Sequence, residues 1–361
     1  MTSLHDLFEQ GGQSPWLDNV RRDWLEDGTM AALVEAGVRG VTSNPTIFAH
    51  ALSSTDLYDA QLAALDGVDD EEAFVALAGR DIANTAALLA PVHASSQGAD
   101  GFVSFEVSPR LAHDTAATVT AARSVAARFD LSNLLVKVPA TKEGLPAISA
   151  LLTEGISVNV TLIFGLERYG EVIDAFLEGL EGADRAHHEL AAINSVASFF
   201  VSRVDTEVDR RLEAAAAPAE LQGKAAVAQA VAAYALFVER FAEPRFLALA
   251  AKGARVQRPL WASTSTKNPA YDDLLYVDTL IGPDTVNTMP DSTIAAFRDH
   301  GTVARTIDAD VEGARRTLAA VEAAGVSMHD VAQSLEDEGV ASFAASYETL
   351  LGTIAAARSQ R

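Results

Sequence analysis

Asn133-Leu134-Leu135-Val136-Lys137-Val138-Pro139-Ala140-Thr141 is the stretch on which the fold turns. Its core is aliphatic and proline closes the run, so 133–138 reads as a short strand. Side chains alternate along a strand. Leu134, Val136 and Val138 therefore share one face, and Leu135 and Lys137 the other. The all-apolar face calls for a hydrophobic partner layer, whereas a lysine among aliphatic residues calls for a chemical reason.

Two further segments repeat the pattern. In 101–107, Phe102, Ser104 and Glu106 oppose Val103, Phe105 and Val107. In 156–163, Ser157, Asn159 and Thr161 oppose Ile156, Val158, Val160 and Leu162. Such strands fit a barrel, with the apolar face under helices and the polar face turned inward. Candidate strands recur at 15–19, 38–43, 101–107, 133–138, 156–163, 193–200, 259–264 and 285–289. Amphipathic helical stretches lie between most of them, at 71–89, 112–129, 145–152 and 166–177. The longest is expected at 225–241, and a helical tail at 310–358. Strand–helix alternation on this scale predicts an α/β fold, a single (β/α)8 TIM-type barrel with extra helices over 1–361. The rival is an open doubly wound sheet, which would call for a Gly-rich phosphate loop that is absent.

Barrel enzymes carry their chemistry at the C-terminal ends of the strands. Glu106, Lys137, Asn159 and Thr161 then converge on one mouth. Apolar neighbours disfavour an ammonium, which is the physical route to a nucleophilic Lys137. The same Glu106 and Lys137 could instead form a buried salt bridge that only ties strands together. Lys142, in Ala140-Thr141-Lys142-Glu143-Gly144, reads as a solvated surface residue. Asn44 precedes Pro45 in Thr42-Ser43-Asn44-Pro45-Thr46, the pattern of a helix cap, and a strand-to-helix corner also suits a substrate hydroxyl. Asp18 in Trp16-Leu17-Asp18-Asn19 reads as an acidic turn residue. Arg203 and Lys267 follow late strands among hydroxyls, which suits either a phosphate or open solvent.

Composition narrows the function. The chain has 361 residues, 49% of them hydrophobic, enough for a large core. Cysteine is absent, which excludes disulfides, thiolate nucleophiles and Cys-ligated metals, and fits a cytoplasmic address. Residues 1–13 have no basic n-region or apolar h-region, and no uninterrupted apolar run of about 18 residues occurs, so neither a secretory signal nor a membrane span is expected. The net charge of −23 would repel nucleic acid. Only five of the 27 basic residues are lysine, so arginine carries most of the positive charge and Lys137 stands out. The eight histidines form no paired metal pattern, and no Gly-x-Ser-x-Gly elbow is present.

Three segments together resemble the signature segments of transaldolase, in order and spacing. They are Gly40-Val41-Thr42-Ser43-Asn44-Pro45-Thr46, the 133–141 stretch, and Gly155-Ile156-Ser157-Val158-Asn159-Val160-Thr161-Leu162. The similarity runs along essentially the whole chain and is to the longer bacterial branch. It implies a circularly permuted class I aldolase barrel with the Schiff-base lysine, Lys137, on the fourth strand. It assigns proton transfer to Asp18 and a proton-relaying water to Glu106 and Thr161. Asn44 and Asn159 would hold substrate hydroxyls, with Ser198, Phe200 and Arg203 after the sixth strand. Ser265 and Lys267 would bind phosphate, although the shorter branch has arginine where Lys267 stands. The implied reaction moves a dihydroxyacetone unit between sugar phosphates without cofactor or metal, in a monomer or homodimer. Two other readings stand beside it. One is a sister aldolase that releases dihydroxyacetone, which usually carries glutamine at the Glu106 position and tyrosine at the Phe200 position. The other is a sugar-phosphate-binding barrel without activity.

Overall fold

The computed structural model describes residues 2–359. Eight parallel strands form a closed barrel: β1 (Gln13–Leu17), β2 (Gly40–Val41), β3 (Phe102–Glu106), β4 (Leu134–Pro139), β5 (Val158–Ile163), β6 (Ser195–Phe200), β7 (Arg258–Ala262) and β8 (Thr285–Met289). They pair in chain order, and β1 closes the ring against β8 over five residue pairs, from Gln13 with Thr285 to Leu17 with Met289. All residues of β4, β5 and β6 are buried. That is what helices outside and packed side chains inside require.

Register sets the inner layers. Glu106 pairs with Lys137, and Lys137 with Asn159, so three polar residues of adjacent strands share one level. Thr161, paired with Pro139, lies one level nearer the mouth. At the opposite end Asp100 accepts from Trp16 Nε1 at 3.0 Å and Arg39 Nε at 2.9 Å, and from Ser14. Burial pushes its carboxyl up, but Arg258, Ser14 and Arg39 outweigh that and hold it below the usual value. This end is built for stability.

The structure departs from the sequence expectations in four places. Only Gly40 and Val41 of 38–43 join the sheet, because the chain turns at once into the helix Pro45–Ser54. Alternation in 156–163 stops at Leu162, which is left-handed (φ 61°) where the β5–β6 register shifts between Val160 and Ile163. A left-handed leucine is strained. The bulge swings Leu162 towards Gly339, where an added Cβ would come within 3.0 Å of its Cδ2. The tail 310–358 is two helices, Val311–Ala323 and Met328–Ser359, broken at the left-handed Gly325 (φ 89°). The second has 32 residues and exceeds the expected longest helix, Ala225–Phe241, with 17.

The fourth departure concerns membranes. By length and composition alone, Asp70–Ser95 and Met328–Ser359 are apolar enough to cross one, despite the lack of an uninterrupted apolar run. In the fold both lay their apolar stripes on the barrel. Asp70–Ser95 buries Phe74, Leu77, Ile82 and Leu89, together with Asp81, which meets Arg22 at 2.8 Å.

Candidate active site

A cavity of about 250 Å³ opens at the C-terminal mouth. Of the residues singled out in the sequence, Asp18, Asn44, Lys137, Thr161, Ser198, Phe200, Arg203, Ser265 and Lys267 line it. Glu106 and Asn159 do not. They lie at the Lys137 level of the barrel wall, the first with a side chain 7% exposed and the second fully buried. Asn159 spends both ends of its amide on protein, donating to Ser104 Oγ at 3.0 Å and accepting from Ser198 Oγ at 2.7 Å.

Lys137 is the centre of the arrangement. Its Nζ donates to the Ser43 carbonyl at 3.1 Å and stands 3.8 Å from Glu106 Oε2, an ion pair too long for a hydrogen bond. Glu106 Oε2 and Thr161 Oγ1 are both buried without a hydrogen-bond partner. Buried oxygens are rarely left so, and these two lie on the strands that flank Lys137 on either side. Burial raises the Glu106 carboxyl to about 7, against the opposing pull of Lys137 and with a smaller push from the Asp18 charge. That value suits proton transfer near neutrality.

Asp18 follows β1 and accepts from Thr42 Oγ1 at 2.6 Å; Thr42 and Thr288 hydroxyls lie 2.7 Å apart. Burial raises the Asp18 carboxyl, while Lys137, Thr42 and Lys267 pull it back. Asn44 does two things at once. Its side chain caps Pro45–Ser54 by accepting from Ile47 N at 3.0 Å, and the residue faces the cavity.

Arg203 and Lys267 converge on the rim. Lys267 Nζ donates to Ser265 Oγ at 2.7 Å, and the Arg203 guanidinium lies 5.4 Å from the Phe200 ring centroid. Desolvation, then the charge of Arg203, lowers the Lys267 ammonium. Two cations that repel each other across a cavity are poised for an anion.

Sequence reasoning missed Thr42, Thr288 and Phe343 among the lining residues. Thr42 and Thr288 could have been flagged as hydroxyls at strand ends. Phe343 belongs to Met328–Ser359, far from any strand, and had no local signal. Lys142 is exposed and sits at the edge of a second, larger cavity of about 460 Å³, behind the Phe164 ring that packs on Phe200 at 5.0 Å. Arg168 there is already matched, with Glu171 at 2.7 Å and with Glu336 at 3.2 Å. The smaller cavity holds Lys137, the unpartnered Thr161 hydroxyl and the two rim cations, and so is the candidate for the chemistry.

Residues 15–354 match the family model for transaldolase/fructose-6-phosphate aldolase. The chain is 53% identical to the transaldolase of Thermobifida fusca, with 98% of both chains covered. It is 51% identical to that of Frankia alni, covering 95% of this chain and 94% of the other. Against that of Mycolicibacterium smegmatis it is 50% identical, covering 94% and 93%. With a fourth-strand lysine at the mouth of a closed barrel and full-length relatives at this identity, the chain belongs to the transaldolase/fructose-6-phosphate aldolase family.

Proposed function

We propose that the protein is a transaldolase acting through a Schiff base on Lys137. A ketose phosphate, sedoheptulose 7-phosphate or fructose 6-phosphate, condenses with Lys137. Asp18 takes the proton that C3–C4 cleavage releases from the C4 hydroxyl. The enamine left on the enzyme attacks the aldehyde carbon of glyceraldehyde 3-phosphate or erythrose 4-phosphate. Glu106 and Thr161 hold the water that relays protons as the imine forms and hydrolyses. Asn44 and Ser198 orient the three-carbon unit, Asn159 acts by holding the Ser198 hydroxyl, and Arg203, Ser265 and Lys267 take the phosphate. The protonated imine is itself the electron sink.

The observation that carries this reading is Lys137 beside the unpartnered oxygens of Glu106 and Thr161, with two cations at the rim of the same mouth. The wider reading is a single domain over 1–361 with a cytoplasmic address. Strands from Gln13 to Met289 in one barrel, and the cysteine-free composition, support it. The test is a coupled assay with fructose 6-phosphate and erythrose 4-phosphate, which should yield glyceraldehyde 3-phosphate and sedoheptulose 7-phosphate. Glyceraldehyde 3-phosphate that forms equally well without erythrose 4-phosphate would instead indicate simple cleavage.

Two side chains sharpen the reading. Lys267→Ala should weaken phosphorylated substrates by about 1.5–3 kcal/mol, the range for hydrogen bonds to charged groups. Unphosphorylated dihydroxyacetone should be almost unaffected, and an equal loss for both would take Lys267 out of the phosphate site. Phe200 is buried in the wall and carries no hydroxyl. Phe200→Tyr adds a proton donor near the enamine, so free dihydroxyacetone released from fructose 6-phosphate should rise relative to transfer. An unchanged ratio in a folded, active variant would remove Phe200 from that choice.

A further inference from the structure

Among the described residues that line the cavity, Phe343 stands apart from the strands and from the loops and helix starts that directly follow them. It comes from the helix Met328–Ser359, whose buried residues Val331, Leu335, Gly339, Phe343, Tyr347, Leu350 and Ile354 form one stripe at helical spacing. Gly339, one turn earlier, brings this helix against Leu162 and Phe164 at the end of β5, where a Cβ would meet their side chains at 3.0 and 3.4 Å. Contacts on both sides fix it. Arg168 Nε donates to Glu336 at 3.2 Å, Tyr347 Oη to Glu71 at 2.9 Å, and Arg110 binds Glu348 through two bonds of 2.6 and 2.7 Å. The Phe343 ring is thus held over the cavity, 6% exposed, with its centroid 5.7 Å from Lys137 Nζ.

An ammonium carries three N–H donors. For Lys137 the Ser43 carbonyl takes one, and Glu106 lies at ion-pair distance. The phenyl ring, 5.7 Å away, takes up space from which water could otherwise solvate the nitrogen. A ring face attracts a cation within about 6 Å, and more strongly where both are desolvated. It also offers neither a proton nor a hydrogen bond to hold water.

We propose that Phe343 is a positioning residue of the Lys137 imine, covering the cationic nitrogen with a face that donates no proton, so that the enamine waits for an aldehyde and the three-carbon unit is transferred rather than released. This rests on the Schiff-base reading above. In transfer, the enamine carbon bonds to the aldehyde carbon of the acceptor, whose oxygen takes up a proton; water then adds to the imine carbon of the new sugar, and the C–N bond breaks to return the amine and the ketose phosphate. In release, the enamine carbon takes a proton instead. Water then adds to the imine carbon, and the C–N bond breaks to return the amine and free dihydroxyacetone. Hydrolysis of the imine ends both paths, so they differ only in protonation of the enamine carbon, for which the phenyl ring supplies no donor.

The test compares Phe343→Leu, Phe343→Tyr and Leu350→Ala. Leu350 is fully buried in the same helix but outside the cavity, so its loss loosens the helix without changing the ring. One readout is the rate of borohydride-trapped adduct on Lys137 with fructose 6-phosphate. The other is the ratio of released dihydroxyacetone to transferred product. Phe343→Leu should slow trapping by roughly three- to thirtyfold, the span of a cation–π contact, and raise the release ratio. Phe343→Tyr keeps the ring face and should trap at the wild-type rate. Leu350→Ala should leave the ratio unchanged. The proposal is overturned if folded Phe343→Leu matches wild type in both readouts, if Phe343→Tyr traps as slowly as a variant without a ring, or if Leu350→Ala moves the ratio as far as Phe343→Leu does. Should Phe343→Leu not fold, the trapping rate of Phe343→Tyr decides alone. No adduct on Lys137 in the wild-type protein is a separate result, and it removes the Schiff-base reading itself.

Discussion

Lys137→Met should reduce transfer by on the order of 10⁴–10⁶-fold, the scale seen when a covalent nucleophile is removed. Methionine nearly matches the volume of the lysine stem, so the barrel should survive the change. The ion pair with Glu106 is lost, yet the carboxyl that remains is already raised to about 7 by burial and can stay protonated. Circular dichroism of the variant should therefore match wild type. With fructose 6-phosphate and borohydride, the wild-type chain should gain a reduced adduct on the peptide containing Lys137, and the variant none. An adduct on Lys142 would sink the assignment. That lysine is exposed and outside the cavity that Lys137 lines, so it is not placed beside a ketone bound there.

Glu106→Gln should slow imine formation by about 10²–10⁴-fold, the usual contribution of a positioned acid–base group. Glutamine keeps the shape and a carbonyl oxygen but cannot carry a proton between lysine, water and substrate. The pH profile makes the role specific. Lysine must lose a proton before it attacks, and the carboxylate form of Glu106 accepts it through the shared water. With the carboxyl raised to about 7, kcat/KM of the wild type should climb as pH rises through that region. The rise should disappear in Glu106→Gln, which leaves a slow, flatter profile. If the variant retains the same inflection, another group titrates there and Glu106 is not the relay.

Period-two alternation made the inner layer legible. Glu106, Lys137 and Asn159 fall at one level because three adjacent strands each turn a polar residue inward there, and the register confirms that placement. Asn44 was readable because a residue before proline at a strand end both caps and faces the mouth. Patterning failed where the backbone leaves a regular period. Leu162 sits in a bulge, and β2 shrinks to two residues, because tertiary contacts at the mouth override local preference. Arg203 and Lys267 could not be told from surface cations in the sequence, since the convergence of a helix start after β6 and a loop after β7 is a property of the closed ring. The break at Gly325 lay in plain view in Ala324-Gly325-Val326-Ser327, a left-handed stop of the ordinary kind. Phe343 had no such marker. An aromatic in a long amphipathic helix looks the same whether it meets a core or a nucleophile.

Ribosomes make all eight strands before they make Phe343. The last strand ends at Met289, and residues 290–343 take about 3–10 s more at ~5–20 residues per second. In that interval a nascent chain can close its ring and set Lys137 beside Glu106 while the ring that covers the amine does not yet exist. On the Schiff-base reading, synthesis thus passes through a stage in which Lys137 stands without its phenyl cover. A chain cut short within that span would lack that cover permanently, and on the same reading would form its imine slowly and pass sugars on poorly.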